Sequence, residues 1–420
     1  MKVFKFGGAS VKDANSIKNV ANIVAKYGLD DSLIVVVSAM GKTTNALEQV
    51  WQFLCKGELE HAENKIAEVY RFHEQICKDL FDEIPLSLSP FFRNFKTLPS
   101  TGLQEDQLYD ACVSKGELLS TRIISDYLSF KGFENDWLDA SSLISTSDDF
   151  RRAKVNWVFT EENIKNHKFS KLSVTQGFIG GGLTGDVTTL GREGSDFSAA
   201  IMAYGTQAKS VTIWKDVPGL LNADPKYFSK TELIAQISFR EAVELAYYGA
   251  SVIHPKTIKP LENKEIPLYI KSFVNPEEPG TVIAKDTEYD QDVSSFIFKL
   301  HQVLISVSPR DFSFVDESQL TNIFKLLDDK GIKVNLMQNA AISFSFCVDE
   351  NSRWEEAVQL LQNDFRVLYN KGLELVTVRH PKPETMKQLS TDSGYEVVLE
   401  QKTRHTLRMV LNLVNPSLLQ

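Results

Sequence analysis

"KVFKFGGAS", residues 2–10, carries the first apolar run of the chain into a pair of glycines. Five residues of β-rich composition run into Gly7 and Gly8. Ile17, Val20, Ala21 and Val24 then recur at i, i+3, i+4 and i+7, the spacing of one helix face. "LIVVVS", residues 33–38, follows as a continuous β-branched run, which suits a strand buried on both faces. Strand, helix, strand is a βαβ unit, and it predicts a parallel sheet. Glycines at the strand end allow a ligand to approach the backbone, and a helix starting there would offer free N–H groups to an anion. Lys5, at the end of the first strand, could set a point charge on such an anion. The plainer reading of Gly7-Gly8 is a turn.

Working outward, the alternation continues. Residues 45–80 read as helical, with Leu47, Val50, Trp51 and Leu54 on one face. "SKGELLSTRIISDYL" (114–128) reads as an amphipathic helix, "KLSVTQGFIG" (171–180) and "SVTIWKDV" (210–217) as strands. "SFREAVELAYYGASVIHPKTIKPL" (238–261) reads as a helix, a glycine stop and a short second helix beginning near Pro255, and "IPLYIKSF" (266–273) as a last strand. This predicts an α/β fold with a mostly parallel central sheet. Composition shifts over 275–292, which places a domain boundary there. Beyond it the order βαββαβ predicts a ferredoxin-like α+β module, and "LELVTVR" (373–379) begins an abridged second one. The expected domains are 1–285, 286–371 and 372–420.

The bulk numbers set limits. At 420 residues the chain exceeds a typical single domain. A net charge of −9 argues against nucleic acid as a partner, since binding phosphates needs a basic face. Cys55, Cys77, Cys112 and Cys347 are scattered with no metal-ligand spacing, and read as buried free thiols of a reducing compartment. No long apolar leader or membrane-length run is visible. Together these point to a cytoplasmic protein without membrane or nucleic-acid partners.

"GKTT" (41–44) resembles the end of a P-loop, but that motif needs glycine five positions earlier, where Val36 stands. "SAMGKTTN" instead repeats the first arrangement at the end of the second strand. Ser38 and Thr44 lie there, either as ligand contacts or as helix caps. "GDVTTLGREGSD", residues 185–196, is too charged for a core strand. Arg192 offers a planar fork for a carboxylate, and Asp196 an acceptor for an ammonium, as a zwitterion demands. Ser195 or Asp196 could equally cap the following helix. Glu117 could be a second ammonium acceptor or an ordinary helix acid. "WKDVPGLLNADPK" (214–226) is a defined turn region that could frame a nucleotide base. His254 reads as a packed or capping histidine.

Taken in order, "KFGGAS", "SAMGKTTNAL", "KGELLST", "TTLGREGSD", "WKDVPGLLNADPK", "AVELAYYGASVIHP" and "EEPGTVI" resemble the aspartate kinases of the amino-acid kinase superfamily. The likeness covers residues 1–285, and the tail resembles ACT regulatory modules. The resemblance implies phosphorylation of the β-carboxylate of L-aspartate by ATP, with Mg²⁺ carried on the nucleotide, at the head of lysine, threonine and methionine synthesis. It implies catalytic roles for Lys5 and Asp196. It gives Arg192 to the α-carboxylate, Glu117 and Asp196 to the amino group, and sets Ser38, Thr44 and Ser195 beside the substrate. Gly7, Gly8 and Ser10, with Lys5, would meet the nucleotide, as would Trp214, Lys215, Asp216, Leu221, Asp224, Lys226 and Ser251. It further implies an amino-acid effector, lysine or threonine, at the ACT-like modules and a homodimer or higher homo-oligomer. No protein-only metal site is implied. Three places depart from the family pattern: Ala9 stands for threonine, Glu193 for glycine, and the nucleotide region has Ser251, Leu221 and Lys226 where lysine, an aromatic residue and arginine are usual. Two other readings stay open: an amino-acid kinase acting on a related acidic amino acid, and a catalytically weak regulatory subunit.

Overall fold

Strand β1 (Lys2–Phe6) lies at the middle of an eight-stranded sheet because both of its faces are buried. The computed structural model describes all residues except 100–101, 229–230, 251–252, 292, 312, 383–394 and 414–420. β1 pairs in parallel with β2 (Leu33–Val37) and with β7 (Ser210–Lys215), setting Lys5 opposite Val36 and Ile213. The sheet order is β3-β4-β2-β1-β7-β9-β10-β8, where β3 is Asp136–Leu138, β4 Leu172–Gln176, β8 Gln236–Ser238, β9 Leu268–Ser272 and β10 Thr281–Ala284. Only the β9–β10 pair is antiparallel. A separate hairpin joins β5 (Ile179–Gly181) and β6 (Val187–Thr189).

Side chains alternate across a strand, and here that alternation separates core from site. Phe4 and Phe6 join Val35, Val37 and Trp214 in one apolar layer with helices α1 (Ala14–Ile23), α2 (Thr43–Cys55), α3 (Leu59–Leu80), α4 (Ser89–Lys96) and α5 (Glu105–Phe130). The Phe6 and Trp214 rings stack at 6.2 Å, and Phe4 meets Trp214 edge-on at 5.6 Å. Lys5 points to the opposite face. Beyond α6 (Ala140–Leu143) and α7 (Trp157–Asn166), helix α8 (Gly194–Thr206) packs against β1, β2 and β7. Helices α9 (Phe239–Tyr248) and α10 (Pro255–Asn263) complete the series in this part of the chain, and α10 packs on α8.

Several expectations are corrected. No α-helix begins at Gly7-Gly8. A single 3-10 turn (Gly8–Val11) follows, and α1 starts later under an Asp13 cap that accepts from the Ser16 N–H at 2.7 Å. The helical stretch 45–80 is two helices, α2 and α3, broken at Gly57 (φ 74°). Cys55, at the end of α2, is exposed, while Cys77, Cys112 and Cys347 are buried. Burial pushes those three thiols up to about 12, so they stay protonated.

The chain divides into two compact units. One comprises Met1–Leu220, Leu233–Val243 and Val252–Tyr289, and the other Leu221–Glu232, Glu244–Ser251 and Asp290–Gln420. The second holds a six-stranded antiparallel sheet, ordered β12-β13-β11-β14-β16-β15. Its strands are β11 (Ser295–Pro309), β12 (Val334–Ala340), β13 (Ser343–Asp349), β14 (Phe365–Arg379), β15 (Tyr395–Lys402) and β16 (Thr406–Leu413). With α11 (Glu317–Asp329) and α12 (Trp354–Leu361), the first four strands form the expected βαββαβ unit. Its core joins Val303, Ile305 and Val307 to Ile323, Leu327, Trp354 and Val358. The last strand of that unit and "LELVTVR", expected in separate modules, are one unbroken strand, β14, so the position 371/372 lies inside it. β16 and β15 extend the same sheet along β14's second half.

Candidate active site

In an open parallel sheet, ligands bind beyond the carboxyl ends of the strands. The loops after β1, β2 and β4 meet there, joined by the N-terminus of α8 and one face of α5. They enclose a cavity of about 270 Å³ lined by Lys5, Gly8, Ser38, Ala39, Gly41, Thr44, Glu117, Phe178, Glu193, Gly194, Ser195 and Asp196. The first two loops touch through the Gly41 N–H, which donates to the Gly8 carbonyl at 3.0 Å. A Cβ on Gly8 would lie 2.8 Å from the carbonyl oxygens of Ala39 and Gly41, so any larger residue would pry the loops apart.

Helix α5 brings the acid. Asp110, Ser114, Glu117 and Thr121 recur three or four residues apart and form a buried polar stripe on one face of the helix. The Ser120 hydroxyl donates to the Ser38 carbonyl at 2.8 Å, tying the helix to the β2 loop. Glu117 accepts from the Ala39 backbone, but its Oε2 is enclosed with no hydrogen-bond partner. Burial raises its carboxyl to about 8, against smaller opposing effects of that hydrogen bond and the Lys5 charge.

Asp196 has the contrary surroundings. Lys5 Nζ lies 2.6 Å from one of its oxygens and Lys215 Nζ 3.6 Å from the other. Burial acts to raise its carboxyl, yet the two lysines, Lys5 before Lys215, outweigh it and hold it below the usual range. Asp196 lies in the first turn of α8, whose N-terminus carries no side-chain cap. The helix end open to the cavity is therefore that of α8. The residue before it, Glu193, adopts left-handed backbone (φ 54°, ψ 28°).

Of the sequence-predicted residues, Lys5, Gly8, Ser38, Thr44, Glu117, Ser195 and Asp196 are brought to one cavity. Gly7 adjoins it, and a Cβ there would stand 3.3 Å from Lys5 Nζ. Arg192 is exposed and does not line it, whereas its neighbour Glu193 does. Lys215 reaches the site through Asp196, and Asp216 is exposed just beyond β7. Trp214 is a correction: its ring is packed in the core, so only its backbone is open to a role, and its carbonyl accepts from the buried Ser10 hydroxyl at 3.5 Å. That contact also turns Ser10 inward. Leu221, Asp224 and Lys226 belong to the second unit. Asp224 is exposed and accepts from the Lys226 N–H at 2.9 Å. Ser251 lies outside the described residues.

Two contributors escaped the sequence reading. Asp110 accepts from the Thr189 N–H (2.8 Å), the Thr189 hydroxyl (2.6 Å) and the Arg151 N–H (3.0 Å), and so holds the β6 loop that leads into "GREGSD". The polar stripe on α5 was the available signal. Lys256, at the start of α10, donates to the Leu190 carbonyl at 3.0 Å and lies over the Phe197 ring. His254 accepts from the Lys256 N–H at 3.2 Å, the capping role expected of it.

Among the described residues no cluster of His, Cys, Asp or Glu could hold a metal ion. The best-placed acid, Asp196, is engaged by two lysines.

The arrangement combines a strand-end lysine, an uncapped helix N-terminus and a buried acid with one unpartnered oxygen, which suits transfer of a phosphoryl group to a small amine-bearing acid. Known proteins agree in class. The amino acid kinase family model matches residues 1–272. An aspartokinase of Chlamydia pneumoniae is 31% identical over 402 residues, covering 93% of this chain and 88% of that protein. Crystal structures of Escherichia coli aspartokinase III share the architecture. The complex with lysine and aspartate gives a TM-score of 0.78 at 27% identity, covering 98% of this chain and 95% of that one. The complex with aspartate and ADP gives 0.76 at 26%, covering 100% and 98%. The chain belongs to the amino acid kinase family and, within it, to the aspartokinases.

Proposed function

We propose that this cavity transfers the γ-phosphoryl group of ATP to the β-carboxylate of L-aspartate, giving 4-phospho-L-aspartate and ADP. The observation that carries the reading is the division of charge inside it: Lys5 and Lys215 gathered on Asp196 at one side, and Glu117, with one oxygen still unpartnered, at the other. The attacking carboxylate is already ionised at neutral pH, so no general base is required. What must be overcome is the repulsion between an anion and a triphosphate. Lys5, held in line by Asp196, neutralises charge on the transferring group, and the N-terminus of α8 adds oriented N–H groups. Gly7 and Gly8 let the phosphates approach the backbone. Ser38, Thr44 and Ser195 hold the substrate so that attack is nearly intramolecular. Arg192 takes the α-carboxylate and Glu117 the ammonium. Lys215 and Asp216 stand on the nucleotide side. Mg²⁺ carried on the nucleotide would supply further neutralisation of phosphate charge.

Purified protein supplied with aspartate, ATP and Mg²⁺ is expected to form an acyl phosphate, trapped by hydroxylamine as the hydroxamate. No trapped product would sink the proposal, and glutamate in place of aspartate tests its substrate.

The second unit is proposed to sense an amino acid, with lysine the first candidate because the E. coli neighbour was crystallised with it. A cavity of about 790 Å³ in that unit is lined by residues including Ser306, Ser308, Arg310, Gln362 and Arg366, a lining suited to a carboxylate. An effector would act by binding one state of the kinase better than another. A homodimer and a cytoplasmic location belong to the same proposal. No helix among the described residues is long and apolar enough to cross a membrane. If neither lysine nor threonine changes activity or melting temperature, sensing of those two ligands fails.

A further inference from the structure

The functional reading leaves one charged side chain of the cavity without a task. Glu193 lines the same space as Glu117, and its Oε2 is likewise enclosed without a hydrogen-bond partner. Its carboxylate does not cap α8, the helix it precedes. Its backbone lies in the left-handed region, which favours glycine over a long side chain. Nothing in the turn itself therefore explains a glutamate. Lys256 and His254 both feel its charge, but Lys256 Nζ is bound to the Leu190 carbonyl. Among the described residues no ion pair reaches Glu193 within 4 Å.

The acids of the cavity differ in what they can still accept. Asp196 is engaged by Lys5 and Lys215. Glu117, only 2% exposed, has one open oxygen, and Glu193 has another. A protonated primary amine has three N–H donors, so it can satisfy both at once. We propose that Glu193 is a specificity-determining residue that accepts a hydrogen bond from the α-ammonium of the amino-acid substrate, across from Glu117. The pair makes the pocket read a free, charged amine. This rests on the reading that the cavity binds aspartate. Asp196 then serves the lysines and not the substrate amine.

A site built to hydrogen-bond a group discriminates against analogues that lack it, because its own polar groups are left unmet. Succinate is aspartate without the amine. Calorimetric titration of aspartate and of succinate into the full chain tests the inference in wild type, Glu193→Gln and Glu193→Gly. The glycine variant also relieves the left-handed backbone, so it should fold. Wild type should prefer aspartate strongly. Both variants should lose roughly tenfold or more in aspartate affinity, with succinate affinity unchanged or improved, so the preference falls by about the same factor. An unchanged preference in both variants would overturn the inference. So would tighter aspartate binding by Glu193→Gly, which would mean that the carboxylate opposes the substrate. If wild type does not bind aspartate at all, the functional reading falls and takes this inference with it. If it binds and position 193 is indifferent, only this inference falls.

Discussion

Asp196 and Glu117 are both buried carboxylates in one cavity, and their surroundings act in opposite directions. Asp196 is held low by two lysines, while Glu117 is driven up to about 8 because burial outweighs the Ala39 hydrogen bond and the Lys5 charge. The first belongs to a part of the site finished in advance: charges paired, lysine aimed, helix end open. The second belongs to a part left unfinished, where a polar group has been desolvated and not yet met. Preorganisation on the phosphate side costs nothing at the moment of reaction. An unmet acid on the substrate side makes the ligand complete the structure, which confers selectivity at the expense of ligand-free stability.

The largest expected effect breaks the finished side. Lys5→Met should lower kcat by about a thousandfold, the scale for losing a group aimed at transition-state charge. It should also destabilise the protein by about 2–3 kcal/mol, since Asp196 is left buried beside Lys215 alone. Adding Asp196→Asn should recover stability but not activity in denaturant titration and kinetics. Recovery of turnover in the double variant would show that Lys5 serves only to neutralise Asp196.

Next comes the unfinished side. Glu117→Gln should raise the KM for aspartate roughly a hundredfold, a charged hydrogen bond in a dry site being worth about 2–3 kcal/mol. The same change should stabilise the ligand-free protein. A carboxyl raised from 4.5 to about 8 on folding binds more protons in the native state, so stability falls as pH rises from 4.5 through 8. At pH 7 the wild-type penalty is about 3 kcal/mol, and the variant should escape up to that amount. Melting curves at pH 5 and pH 8 check it: the gain should be small at the first and several-fold larger at the second. Because the ammonium needs Glu117 ionised, the wild-type KM for aspartate should fall about tenfold from pH 6 to 7, less from 7 to 8, and level off above. A flat profile would place the ammonium elsewhere.

The smallest effect concerns the exposed arm of the clamp. Arg192→Ala should raise the aspartate KM about tenfold with kcat little changed, since an accessible guanidinium contributes mostly uniform binding. Melting temperature should not move. A change in kcat alone would take Arg192 away from the α-carboxylate.

Much of the fold was legible because its signals are local. Continuous β-branched runs marked β2, and glycines marked the loops that line the cavity. Where local cues competed, the reading slipped. The glycines after β1 suggested a helix start that Asp13 places five residues further on. Trp214 beside Lys215 looked like a pocket wall, although strand alternation sends the two to opposite faces. At the site, the residue types pointed to a zwitterion and a phosphate, but not to who partners whom. Asp110 and Lys256 went unread because each acts on backbone groups far away in sequence.

Strand, turn and helix preferences act over a few positions, so the α/β architecture, the family and the set of charged residues at the strand ends were all legible in the order of residues. Folding settled which of them meet: Asp196 is taken by Lys5 and Lys215, Glu117 and Glu193 keep open oxygens, and Arg192 stays outside. Burial and ion pairing depend on distance through space, and Lys5 meets Asp196 only after the sheet has brought together residues that lie far apart in the chain.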